Sequence, residues 1–79
     1  MKVTIKYYDK CKYLEDSEVI ASVDLDGIAS VDVKEIPASE ILKENGSSVD
    51  DYNKYTILTF NNGVTSRYRH SYFDVIRVD

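Results

Sequence analysis

The side chains able to do chemistry are few in this sequence, and they do not converge. His70 is the only histidine and Cys11 the only cysteine. A general base or a metal ligand needs oriented partners within hydrogen-bond reach, and the spacing nominates none. A zinc site would need at least two carboxylates to complete it, and no CxxC or HxxxH spacing is present. His70 therefore reads as a surface residue near the end of a strand. Cys11 lies between Lys10 and Lys12, whose charges favour a thiolate, but it lacks a base and an oxyanion site and reads as a semi-exposed thiol on a loop. Asp24-Leu25-Asp26-Gly27 offers two carboxylates but not the downstream bidentate glutamate of a calcium loop. The expectation is no catalytic residue, no metal and no cofactor.

Charge is laid down unevenly. The net charge is −4 over 79 residues. Residues 1–14 hold four lysines against one aspartate, residues 15–54 hold three lysines against eleven acids, and the remainder holds three arginines against two aspartates. A field of that kind repels nucleic acid and attracts a basic surface. The leading expectation is a non-catalytic protein-binding module, an inhibitor or adaptor for a basic, nucleic-acid-binding partner, comparable in composition to small acidic anti-host or anti-defence proteins of viruses. Its acidic surface would comprise Asp24, Asp26, Asp32, Glu35, Glu40, Glu44, Asp50 and Asp51, with Tyr52 beside them.

Seven tyrosines and no tryptophan make up most of the aromatic content. Adjacent tyrosines on a strand, such as Tyr7 and Tyr8, go to opposite faces, so one of the two is exposed. Exposed tyrosine gives rigid contact area and is enriched at protein interfaces. The string Arg67-Tyr68-Arg69-His70-Ser71-Tyr72 interleaves cations with aromatics, as single-stranded nucleic-acid binders do. This alternative reading uses Arg67, Tyr68, Arg69 and Tyr72, and Lys2 and Lys6 would extend the basic stripe if the first strand lay beside 64–68. A third reading is a small-ligand site formed at an oligomer interface, with an edge strand such as the first or the last pairing across a dimer.

A chain of this length makes one domain, 1–79, with a core near the lower limit of unaided stability. A single cysteine cannot form an internal disulfide, which points to a reducing, cytoplasmic setting. No apolar run approaches the ~20 residues of a membrane span.

The elements that must position these side chains are short. Residues 1–8 alternate, with Val3, Ile5 and Tyr7 on one side. Val19, Ala21 and Val23 form a second period-2 series and Ala29, Val31 and Val33 a third. A three-residue loop at Leu25-Asp26-Gly27 would join these as a hairpin, with Val23 facing Ala29 and Glu18 facing Lys34. Pro37 ends the third strand, and Ala38, Ile41, Leu42 and Asn45 share one face of a two-turn helix that Gly46 caps. Residues 55–60 and 64–68 flank Asn61-Asn62-Gly63, a strong hairpin signal that leaves two registers open: Ile57 opposite Tyr68, or Phe60 opposite Val64. Ser71 to Asp74 reads as a turn that the serine hydroxyl braces, followed by a last strand at 75–78. The fold expected is α+β, one antiparallel sheet of five to six short strands in the order β-β-β-α-β-β-β with one helix. A small SH3-like barrel is the alternative.

Overall fold

The computed structural model describes residues 1–35 and 53–79. They form six strands: β1 (Val3–Tyr8), β2 (Val19–Leu25), β3 (Ile28–Glu35), β4 (Lys54–Phe60), β5 (Thr65–Arg69) and β6 (Phe73–Arg77). These lie in two antiparallel three-stranded sheets, ordered β2-β1-β6 and β3-β4-β5.

The expected α+β single sheet is thus corrected to an all-β, two-sheet arrangement among the described residues. The helix expected over 38–45 falls outside them. The first and last strands do pair, as a barrel would require, with Ile5 opposite Val75 and Tyr7 opposite Phe73, but the six strands fall in two sheets rather than one curled five-stranded barrel.

The hairpin expected between residues 19–25 and 28–33 does not form, because each strand takes a partner more distant in sequence. Leu25, Val23 and Ala21 face Val3, Ile5 and Tyr7 of β1. Val31 faces Leu58 of β4. Alternation says which side of a strand is apolar but is equally satisfied by any partner with the same period. At Gly27 the chain turns out of one sheet into the other, with φ +73°, a left-handed value that glycine adopts without the Cβ clash other residues meet. Ile28 is the corner. It exchanges backbone hydrogen bonds with Met1, at 3.1 Å and 2.8 Å, and it faces Phe60 on its other side.

The β4–β5 hairpin forms as its turn sequence predicts, in the register that places Phe60 opposite Val64. The Phe60 N–H donates to the Val64 carbonyl at 2.8 Å and the Gly63 N–H to the Phe60 carbonyl at 2.9 Å. Asn61-Asn62-Gly63 is therefore a three-residue loop, and Gly63 holds its left-handed position with φ +88°. The Ser71 hydroxyl, expected to brace the next turn, is buried without a hydrogen-bond partner. Backbone atoms close that turn instead, with the Tyr72 N–H donating to the Arg69 carbonyl at 3.1 Å.

Val3 and Ile5 from one sheet and Ile28 and Leu58 from the other are fully buried and form one core cluster. Phe73 of β6 sits edge-on to Tyr7 at 5.1 Å and to Tyr68 of β5 at 5.5 Å, so one ring ties the two sheets together. Such edge-to-face contacts add about 0.5–1.5 kcal/mol to the area they bury.

Candidate functional surfaces

Two surfaces follow from this strand order. The first is the free edge of β2. β1 occupies one side of β2 and no described strand pairs with the other. Val19, Ile20 and Val23 are 48%, 65% and 40% exposed. The seven residues of β2 run about 23 Å. Glu18 lies at one end of this edge, and Asp24 and Asp26 at the other, all exposed. Asp24 accepts the Thr4 hydroxyl at 2.7 Å, and Asp26 accepts the Gly27 N–H at 2.8 Å. Both carboxylates are thereby held in place while remaining in water.

The second surface is the outer face of the β3-β4-β5 sheet. Residues directly opposite on neighbouring strands share a face. The pairings therefore lay down three rows running from β3 through β4 to β5: Lys34, Tyr55 and Arg69; Asp32, Ile57 and Arg67; and Ser30, Thr59 and Thr65. The Arg67 guanidinium lies 5.4 Å from the centre of the Tyr55 ring, a cation–π arrangement. None of these nine residues is fully buried.

A third cluster lies on the outer face of the other sheet. Asp74 accepts the Tyr8 hydroxyl at 2.5 Å and the Lys12 ammonium at 2.6 Å, one on each carboxylate oxygen. Partial burial pushes the Asp74 carboxyl up. The hydrogen bonds from Lys12 and Tyr8 and the charges of Lys12 and Lys6 outweigh it, and the group sits below its ordinary range. The Tyr8 hydroxyl is raised, chiefly because it donates to Asp74, then by desolvation and by the charge of the carboxylate. Both shifts stabilise the protonation states that form the hydrogen bond, so the cluster is a strut between β1, β6 and the 9–18 loop.

The residues picked out from the sequence are separated by the fold. Asp24 stands on the outer face of the β2-β1-β6 sheet, whereas Asp32 stands on the outer face of the other, in the row of Arg67. Glu35 ends β3 opposite Lys54. Glu40, Glu44, Asp50, Asp51 and Tyr52 lie outside the described residues. Lys2 and Lys6 do not extend a stripe with Arg67 and Arg69, because β1 lies between β2 and β6 and β5 belongs to the other sheet. Tyr68 turns inward against Phe73, and Tyr72 is exposed in the turn after β5. β1 is the central strand of its sheet and presents no edge for a dimer, whereas β6 does form an edge.

Tyr55 and Lys34 went unnoticed in the sequence as companions of Arg67 and Arg69. The Asn61-Asn62-Gly63 loop carried the signal, since its three-residue register sets Tyr55 opposite Arg69. His70 places Nε2 2.7 Å from the Thr56 hydroxyl, and Cys11 is a free, half-buried thiol. Among the described residues no three of histidine, cysteine, aspartate and glutamate are grouped to hold a metal ion. No described helix is long and apolar enough to cross a membrane. No protein-family model, no curated protein sequence and no solved structure matches this chain.

Proposed function

We propose that this chain is a non-catalytic protein-binding module that engages a basic partner along β2. The observation that supports this reading is the pairing of a strand edge that no described strand fills with exposed Val19, Ile20 and Val23. An edge strand offers a row of backbone donors and acceptors to an added strand, and apolar side chains on it supply the area that makes such pairing hold. Glu18, Asp24 and Asp26 around the edge give the complex its sign. Carboxylates at the margin steer a cationic partner into register and disfavour acidic competitors.

The test is capture of a partner by the immobilised chain, followed by direct binding with the purified partner. Ile20→Lys abolishes binding by placing a like charge against a basic strand, and Asp24→Asn weakens it while still accepting the Thr4 hydroxyl. Arg67→Gln, on the other sheet, leaves it intact. The affinity falls between 50 and 500 mM salt. A partner retained by Ile20→Lys, or held equally well at both salt concentrations, would show that β2 is not the docking strand.

A further inference from the structure

Resting on the docking of a basic partner along β2, we propose that the docked segment is a short antiparallel strand of alternating apolar and polar residues whose cation falls opposite Asp24. β2 is interrupted at Ile20: Ala21 faces Tyr7 and Val19 faces Tyr8, which leaves Ile20 as the extra residue of a bulge. Its regular stretch is therefore 21–25. A bulge turns an edge away from regular pairing, so 21–25 is the part of β2 fit to template another strand.

The backbone groups open to a partner follow from the alternation of an antiparallel ladder, in which successive residues turn their N–H and C=O to opposite neighbours. In β1 the even-numbered positions turn toward β6. The Tyr8 N–H donates to the Tyr72 carbonyl at 3.0 Å, and the Val78 N–H donates to the Lys2 carbonyl at 3.1 Å. Val3, Ile5 and Tyr7 therefore turn toward β2, where they meet Leu25, Val23 and Ala21. That leaves the N–H and C=O of Ser22 and Asp24 directed away from β1, where no described strand takes them.

The side chains of 21–25 set what the partner must carry, because opposed residues share a face. Ile5, opposite Val23, is fully buried, yet Val23 itself is 40% exposed. On the same inner face Ala21 is exposed and Leu25 half-buried. Partner residues set against these three gain by being apolar. Ser22 and Asp24 stand on the outer face beside Lys6 and Thr4. A lysine or arginine against Asp24 makes a cross-strand ion pair. Against Ser22 the same cation meets a hydroxyl and, one strand further, Lys6. All four strand pairings in the described residues are antiparallel, and antiparallel pairing is the more stable per residue. Read in its own direction, the docked segment is thus apolar, basic, apolar, polar, apolar. A parallel segment would carry its cation fourth instead of second.

A second copy suits this edge less well. Two-fold pairing of 21–25 sets Val23 against Val23 and Ser22 against Asp24. The two Asp24 carboxylates then stand on the diagonal, about 7–8 Å apart and within the Debye length of about 8 Å at physiological salt, with no cation between them.

The experiment is amide NMR on the isotope-labelled chain, first alone and then with end-capped peptides. Alone, the Ala21, Val23 and Leu25 amides are expected to be protected from hydrogen exchange and the Ser22 and Asp24 amides to exchange freely. Protection of Ser22 and Asp24 in the free chain would show the edge already filled and overturn the proposal, and a chain that sediments as a dimer with them protected would give the edge to a second copy. The peptides are Val-Lys-Val-Thr-Val, Val-Thr-Val-Lys-Val, Val-Glu-Val-Thr-Val and the unalternated Lys-Thr-Val-Val-Val. The first is expected to protect Ser22 and Asp24, and to bind about threefold more tightly than the second and about tenfold more tightly than the third. Asp24→Lys reverses the order of the first and third. No binding of the first peptide at millimolar concentration would overturn the proposal, as would tighter binding of the second. Equal binding of the unalternated peptide, with shifts still at Ser22 and Asp24, would overturn the strand pattern and leave β2 as the docking strand. Shifts confined to the β3-β4-β5 sheet would remove β2 from the account as well.

Discussion

Replacing Asp74 by asparagine tests the electrostatic reasoning most directly. The carboxylate holds Tyr8 at 2.5 Å and Lys12 at 2.6 Å, and its side chain is 33% exposed. A hydrogen bond to a charged group contributes about 1.5–3 kcal/mol when well covered, and exposed ion pairs contribute about 0–1 kcal/mol. With a third of the aspartate in water, the two contacts together fall between these limits. Asparagine keeps an acceptor for Tyr8 and loses the attraction for Lys12, so Asp74→Asn is expected to cost about 1–2 kcal/mol at pH 7. In a domain of this length that lowers the melting temperature by roughly 5–10 °C.

The pH dependence follows from the directions of the two shifts. Asp74 titrates lower in the folded chain than in the unfolded one. Its contribution is therefore complete above the ordinary value of 3.8 and is lost as the pH falls through the lower folded value. Tyr8 titrates higher when folded, so its contribution is complete below 10.0 and is lost as the pH rises through the raised value. The unaltered protein and Asp74→Asn, compared by urea denaturation at pH 7 and again at pH 2.5, should differ most at the first, with the gap narrowing at the second. A gap of the same size at both would refute the ion-pair account and assign the cost to shape alone.

Further predictions concern the core and the corner. Leu58→Ala removes a fully buried side chain from a cluster that joins both sheets, and the urea midpoint should fall by an amount equal to about 2–5 kcal/mol with an unchanged m-value. Gly27→Ala has room for a methyl, since the nearest atom to an added Cβ is Asn61 Nδ2 at 3.8 Å. The cost is then conformational, about 1 kcal/mol for forcing an L-residue to φ +73°, and a neutral result in the same denaturation assay would remove the left-handed corner from the account.

Strand positions were legible in the sequence because alternation is a local property. Val3, Ile5 and Tyr7 are inward as their spacing indicates, and the Asn61-Asn62-Gly63 loop closes the hairpin it announces. Strand partners were not legible in the same way. Val19, Ala21 and Val23 match β1 as well as they match β3, and no rule of period 2 prefers one. The candidate surfaces inherited that gap. Arg67 and Arg69 were visible as a pair on one side of a strand, but the aromatic beside them comes from β4. The acids, close in sequence, part company at Gly27, where Asp24 and Asp32 enter different sheets. Tyr68 alternates with Arg67 and Arg69 along β5, and its ring goes to the opposite face, against Phe73.

The central place of β1 between β2 and β6 has a consequence for how the chain is made. β4 and β5 are joined by a three-residue loop and can zip up on their own. β1 cannot complete its sheet until residues 73–77 have left the ribosome, some seventy positions later. Its apolar flank, Val3 and Ile5, must wait through the synthesis of some seventy further residues, and contacts so distant along the chain make for slow folding. Expression at lowered temperature or with a holding chaperone should accordingly raise the yield of native protein, and crowded synthesis should depress it.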